Sequence, residues 1–310
     1  MNTKKITLFC LFAYGISWLV ALLMYLLEVP YGSITSTIMI ALLYMPAPAF
    51  ATLIVQKVIY KESLTPYGLV LKGISIKWLL LTPAIMLGVS LLSVGVVVLG
   101  GKLFPQFGEL IFSNHFILSK ISKMVPGEVN PEDVNLPSSP EVLFVIILLS
   151  SVVAGCSANL PFALGEELGW RGLLAEETRA LGFWKSNLLI GIIWGFWHAP
   201  IILMGHNYPS YPYLGILMMI AFTLSLSFIL AYVRYKSRTV FAPAVFHGML
   251  NASVGIYILF IAKGHELWSS IAGVAGISAG FLLTLIIAWT DRRFIREYAL
   301  AAKQENENPA

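Results

Sequence analysis

The run Glu166-Glu167-Leu168-Gly169-Trp170-Arg171 stands at the end of one apolar stretch. His198 lies inside a second apolar stretch, and His247 and Asn251 lie inside a third. A charged side chain at mid-membrane costs roughly 2.5–3.5 kcal/mol or more, so such groups mark candidate functional sites. A carboxylate aided by an imidazole can hold a water beside a scissile carbonyl and take its proton. Two further donors on another helix can stabilise the oxyanion that forms. Glu166 and His198 suit the first task, and His247 and Asn251 the second. The chemistry that fits is hydrolysis of a peptide bond.

Helical geometry sharpens these assignments. Adjacent Glu166 and Glu167 point about 100° apart around a helix, so they do not face one point. Arg171 follows Glu167 by four residues, the favourable order for a helical ion pair. That spacing predicts Glu167 turned away and paired with Arg171, with Glu166 facing a cavity. His247 and Asn251 are one turn apart and share a face. Each feature alone has a plainer explanation: a solvated helix end for the glutamates, a hydrogen-bonded core position for His198, interhelical hydrogen bonding for His247 and Asn251.

The elements that must position these groups are membrane helices. The chain of 310 residues is 58% hydrophobic and 12% charged, against about 25% charge in a soluble domain. The expected fold is all-α, a polytopic membrane bundle forming one domain over residues 1–310. Eight apolar stretches are long enough to cross a bilayer: Ile6–Leu27, Ile34–Val55, Trp78–Gly100, Val142–Gly165, Ser186–Gly205, Tyr213–Val233, Val240–Ala262 and Leu267–Thr290. The first is too long for the apolar core of a signal peptide and reads as an uncleaved span. Cys10 and Cys156 both fall in apolar stretches, which argues against a disulfide framework. The net charge of +4 is dispersed between spans and implies no nucleic-acid partner. Lys57–Lys77 suits a helix on the membrane surface. The connection from about Gly101 to Glu141, with Pro126, Pro131, Pro137 and Pro140 and several acids, reads as a loop with some amphipathic helix. Residues 304–310 read as a disordered tail.

Basic residues set the orientation. Sixteen of the twenty lysines and arginines fall on the side of both termini, and only Lys102, Lys120, Lys123 and Lys263 fall on the other. Basic loops stay cytoplasmic, so both termini are expected there, in the cell membrane, with lipid as a surrounding partner. Counted at 1.5 Å per residue, His247 lies roughly 10 Å, Asn251 roughly 16 Å and His198 roughly 18 Å from that face. Glu166 joins this layer if its helix continues to about Ala175. The four residues are then expected to line one cavity open toward the cytoplasm.

At these residues the chain resembles the CAAX protease and bacteriocin-processing family, which includes the type 2 CAAX prenyl proteases. The family motifs E-E-x-x-x-R, F-x-x-x-H and H-x-x-x-N/D occur in order as Glu166-Glu167-x-x-x-Arg171, Trp194-x-x-x-His198 and His247-x-x-x-Asn251. The resemblance spans roughly residues 154–257, and Trp194 replaces the usual Phe. It implies an eight-helix intramembrane endopeptidase cutting near the cytoplasmic face through a glutamate-activated water. It also implies Glu166 and His198 as the catalytic pair, His247 and Asn251 as the oxyanion site, Glu167 and Arg171 as supports, and no cofactor. Prenylated proteins and small bacterial peptides are both substrate classes within that resemblance. A zinc site built from a glutamate, His198 and His247 is the alternative within enzymes. A non-catalytic immunity, scaffold or transport protein is the alternative outside them.

Overall fold

All eight apolar stretches form helix in a computed structural model, which describes residues 1–124 and 134–298. Among the described residues, six helices are individually long and apolar enough to cross a membrane: α1 (Thr3–Leu26), α2 (Ile34–Ile59), α3 (Ile76–Gly101), α9 (Pro212–Ser237), α10 (Phe241–Phe260) and the pair joined as Glu266–Thr290. In that last pair, α11 (Val274–Thr290) carries most of the length. The remaining two stretches are broken. Helix α5 (Pro140–Cys156) meets α6 (Leu160–Leu181) at 62°. Helix α7 (Phe183–Trp197) stops at His198, and α8 (Ala199–Leu203) completes the stretch.

Both breaks have a chemical cause. Pro161 and Pro200 sit in the first turns of α6 and α8, where a missing N–H is tolerated but an upstream helix cannot run through. At the second break the Trp197 carbonyl accepts from the Tyr44 hydroxyl at 2.6 Å and from the Trp18 indole at 3.1 Å. Neighbouring helices thus satisfy backbone polarity that hydrocarbon cannot. Beyond the first break, α6 carries π-type turns over Leu168–Leu174, a rare geometry that gathers at functional sites.

Close helix contacts hold the centre. A Cβ on Gly195 of α7 would lie 2.5 Å from the Ile220 Cα of α9, and one on Gly155 of α5 would lie 2.4 Å from the Met249 side chain of α10. Small residues at such points let backbones approach without a hydrophobic driving force. Helices α9 and α10 bury most of their apolar windows, whereas α1, α2 and α3 bury only about a third. The central pair therefore presents the site, and the outer three leave most of their apolar surface exposed.

The two ends of the bundle are tied separately. At the end carrying residues 2 and 298, Lys5 pairs with Glu62 at 2.8 Å and Glu177 at 3.3 Å. There Arg179 also donates to the Tyr298 carbonyl, and Lys236 pairs with Asp291. At the far end, β1 (Glu109–Leu110) pairs antiparallel with β2 (Ile261–Ala262), and the Ser210 N–H donates to Glu266. Tyr31 and His206 hydrogen-bond there too.

Two expectations for the connections change. No helix forms over residues 60–75 apart from a 3-10 turn at Thr65–Tyr67. Pro66 and the positive-φ Gly68 (φ 74°) and Gly73 (φ 76°) interrupt it, and the Arg234 side chain packs against the space a Gly68 Cβ would need. The long connection does contain an amphipathic helix, α4 (Asn114–Met124), in which only Ile117 is fully buried. Pro126, Pro131 and the tail 304–310 lie outside the described residues.

Candidate active site

Glu166 lies on α6, two residues before the π-type turns that begin at Leu168, and is 2% exposed. The helix runs on past Ala175 to Leu181, the condition for Glu166 to reach the level of the other groups. Its Oε2 accepts from the Trp194 indole N–H at 2.9 Å. A carboxylate this deep needs donors, because desolvation otherwise outweighs its charge. Trp194 therefore does more than replace an aromatic ring: a phenylalanine at this position offers no N–H.

His198 ends α7. Its Nδ1 lies 2.9 Å from the Trp194 carbonyl, one turn back. A carbonyl only accepts, so Nδ1 carries the proton and Nε2 of the neutral ring keeps its lone pair. The Pro200 break keeps His198 at the helix end, against Trp197 with ring centroids 4.7 Å apart.

His247 lies on α10 with its Nδ1 2.9 Å from Glu167 Oε1. That same oxygen accepts from Arg171 Nη1 at 3.2 Å. The sequence-expected Glu167–Arg171 pair is present, but Glu167 does not simply turn away. It spans Arg171 and His247 and so orients one of the candidate site residues. Arg171 Nη2 also donates to the Ser227 hydroxyl at 3.1 Å, and the guanidinium stacks over the Trp194 ring at 4.2 Å. Trp194 thus touches four of the groups: it donates to Glu166, accepts from His198 through its carbonyl, lies under Arg171, and sits 5.5 Å from the His247 ring.

Glu166, His198, His247 and Asn251 all line one cavity of about 230 Å³. Asn251 is solvent-exposed within it, one turn beyond His247. Tyr44, His206 and Asn207 share the lining. These three were not singled out by sequence: Tyr44 sits in a uniformly apolar span, and His206-Asn207 sits in a short loop without motif spacing. The rings of His206 and His198 are stacked, with centroids 6.2 Å apart. Burial pushes the His206 imidazole down to about 4 and the Tyr31 hydroxyl beside it up to about 12. Among the described residues, no three His, Cys, Asp or Glu side chains gather as a metal-ligand set.

The cavity runs in the direction opposite to that expected from helix depth. His206, Asn207, Ile271 and Ala272 in its wall belong to the far end of the bundle, away from residues 2 and 298. On the other side of Glu166 the packing is closed: Glu167, Trp170, Leu173 and Leu174 are fully buried, and Arg171 is 1% exposed. Counting residues along each helix gives depth but does not say which end is plugged.

Two comparisons with known proteins bear on this chain. Residues 140–253 match the family model of the type II CAAX prenyl endopeptidases, Rce1-like. That range contains Glu166, His198, His247 and Asn251. The CAAX prenyl protease 2 of Methanococcus maripaludis is 29% identical over 90 residues, covering 22% of this chain and 33% of that protein. The chain thus matches about a third of the length of this curated relative.

Proposed function

With an Rce1-like domain at residues 140–253 as the premise, we propose that this integral membrane protein is an endopeptidase that hydrolyses a peptide bond inside the bundle. The observation that carries the reading is the convergence of a buried, hydrogen-bonded carboxylate, two imidazoles and an amide on one cavity wall. Glu166, with His198 Nε2, holds a water and removes its proton as the oxygen attacks the scissile carbonyl carbon. The carbonyl π electrons move onto oxygen, and His247 and Asn251 donate to the oxyanion. Collapse re-forms the carbonyl, breaks the C–N bond and delivers the proton to the leaving amine. Glu167 and Arg171 act as positioning residues: the carboxylate accepts from Nδ1–H of a doubly protonated His247, whose Nε2–H is then the donor to the oxyanion, and Arg171 holds the carboxylate. Orienting partners of this kind matter because the donors must be in place before charge develops.

The proposed substrates are peptides or protein segments, with lipid-modified chains among them. The proposed reaction needs no metal, since Glu166 supplies the base and His247 with Asn251 the electrostatic stabilisation. The test is cleavage of a farnesylated CAAX peptide and of an unmodified, internally quenched peptide by the purified protein in a strong chelator. Turnover in chelator by metal-free protein supports the glutamate–water reading. Activity lost in chelator and restored by zinc makes His247 a metal ligand instead. Absence of cleavage under every condition favours a non-catalytic membrane role.

A further inference from the structure

Glu166 brings two carboxylate oxygens to the site, and only one of them is free to take a proton. Oε2 is engaged, accepting from the Trp194 indole N–H at 2.9 Å. Two other buried tryptophans stand close by. Trp197 lines the same cavity, and its indole N–H is unpaired among the described residues. Trp170 lies beside the Glu166 carboxylate on the same helix, and its N–H makes no hydrogen bond either. A buried indole usually finds an acceptor, but burial alone does not enforce that here. Of the three, Trp194 is the one whose N–H meets the carboxylate, and it does so from a different helix.

The backbone that carries Trp194 is fixed independently. Gly191 and Gly195 flank it on α7, and a Cβ on either would lie 2.5 Å from a Cα of α9. Thr223 of α9 also donates to the Gly191 carbonyl at 2.8 Å. From this locked position Trp194 reaches both members of the proposed catalytic pair. Its N–H holds Glu166, and its carbonyl accepts from His198 Nδ1 at 2.9 Å. Its ring carries the Arg171 guanidinium at 4.2 Å, so its place does not depend on Glu166.

We propose that Trp194 is the positioning residue of the base, its indole pinning Glu166 Oε2 so that Oε1 meets the attacking water. This rests on the peptidase reading of the site. The terminal torsion of a glutamate is broad and roughly two-fold, so an unpinned carboxylate presents either oxygen over a range of directions. The hydrogen bond removes that freedom and holds Oε1 in register with His198 Nε2. A misplacement of about 1 Å in such a group costs on the order of 10²-fold in rate. Trp194 touches no reacting atom, so its loss is expected in kcat and not in KM.

The experiment has two arms. In the first, Trp194 is replaced by benzothienylalanine, which keeps the ring and its volume but carries sulfur in place of the N–H. Trp194→Phe is made beside it and serves if the isostere is poorly incorporated. Cleavage of an internally quenched peptide should show kcat lower by about 10–100-fold, with KM unchanged within about twofold. Both replacements are then repeated on Glu166→Gln, where no base remains to be positioned and neither should slow the residual reaction further. Equal losses in the two backgrounds make Trp194 a general packing residue and overturn the proposal. In the second arm, the indole N–H protons are followed by NMR in detergent, the Trp194 signal being the one lost in Trp194→Phe. Glu166→Gln should move that signal upfield, because a charged acceptor gives way to a neutral one. An unmoved signal overturns the proposal without reference to activity. A parent protein that cleaves nothing sinks the peptidase reading, and the positioning role falls with it. A parent that cleaves, with both Trp194 replacements equally fast, overturns the positioning role alone.

Discussion

Replacing Glu167 by Gln separates its electrostatic role from its shape. The amide oxygen can still accept from His247 Nδ1, now at 2.9 Å, but the charge facing Arg171 at 3.2 Å is gone. Both partners are essentially inaccessible, at 0% and 1% side-chain exposure. Breaking a buried pair by removing one partner costs about 3–5 kcal/mol, because the remaining charge is left without a counter-charge. The Ser227 hydroxyl and the Trp194 face, at 3.1 and 4.2 Å from the guanidinium, offset a part of this. A destabilisation of about 3 kcal/mol is therefore expected for Glu167→Gln, and a fall in melting temperature of about 5 °C for a chain of this length. Removing both charges, in Glu167→Gln with Arg171→Met, should recover most of it, since an apolar replacement of a whole buried pair is often close to neutral. The assay is denaturant and thermal unfolding of the four proteins of this cycle in one detergent. Coupling of about 2 kcal/mol or more is expected between the two sites. Effects that add to within about 0.5 kcal/mol, the behaviour of independent positions, would refute the reasoning.

Three further outcomes follow from the same geometry. Asn251→Ala should lower kcat about 10²–10³-fold with little change in KM, the signature of a lost oxyanion donor; a change in KM alone would place Asn251 in binding. Gly155→Ala should destabilise by about 1–3 kcal/mol, because a Cβ there meets Met249 and the Val245 carbonyl at under 3 Å; unchanged melting would show that α5 and α10 can separate freely. For His206, held down at about 4 against an ordinary value near 6.5, the unfolded chain takes up a proton first as pH falls. Its contribution is complete above about pH 6.5 and is lost progressively toward pH 4. His206→Gln should flatten the melting-temperature profile in that window, and a parallel profile for parent and variant contradicts the assignment.

Much of the fold was legible because membrane helices follow from length and composition alone. Most apolar stretches appear as helices near the expected bounds, but length and composition did not reveal the interruptions before Pro161 and Pro200. Glu167 with Arg171 was legible from a four-residue spacing. The Glu167–His247 contact was not, since 80 residues separate them and only the packing of α6 against α10 brings them together. Trp194 was visible as an aromatic, but its N–H could be assigned to Glu166 only once α7 faced α6. Over Lys57–Lys77 the mixture of lysines and leucines outweighed Pro66, Gly68 and Gly73, and the glycines' backbone freedom prevailed. The exit of the cavity was the least legible feature, because it depends on which side chains fill the space below Glu166.

The central claim, that Glu166 is the base for peptide hydrolysis, is tested most directly by Glu166→Gln. The glutamine keeps the volume and can still accept from the Trp194 indole, 2.9 Å away, but it cannot take a proton from water. Cleavage of the same peptide by parent and variant is followed by mass spectrometry, with melting curves recorded on the same preparations. The expected result is a loss of about 10²–10⁴-fold in rate, with the fold retained and the same peptide still bound. A variant that folds and cleaves as fast as the parent contradicts the account.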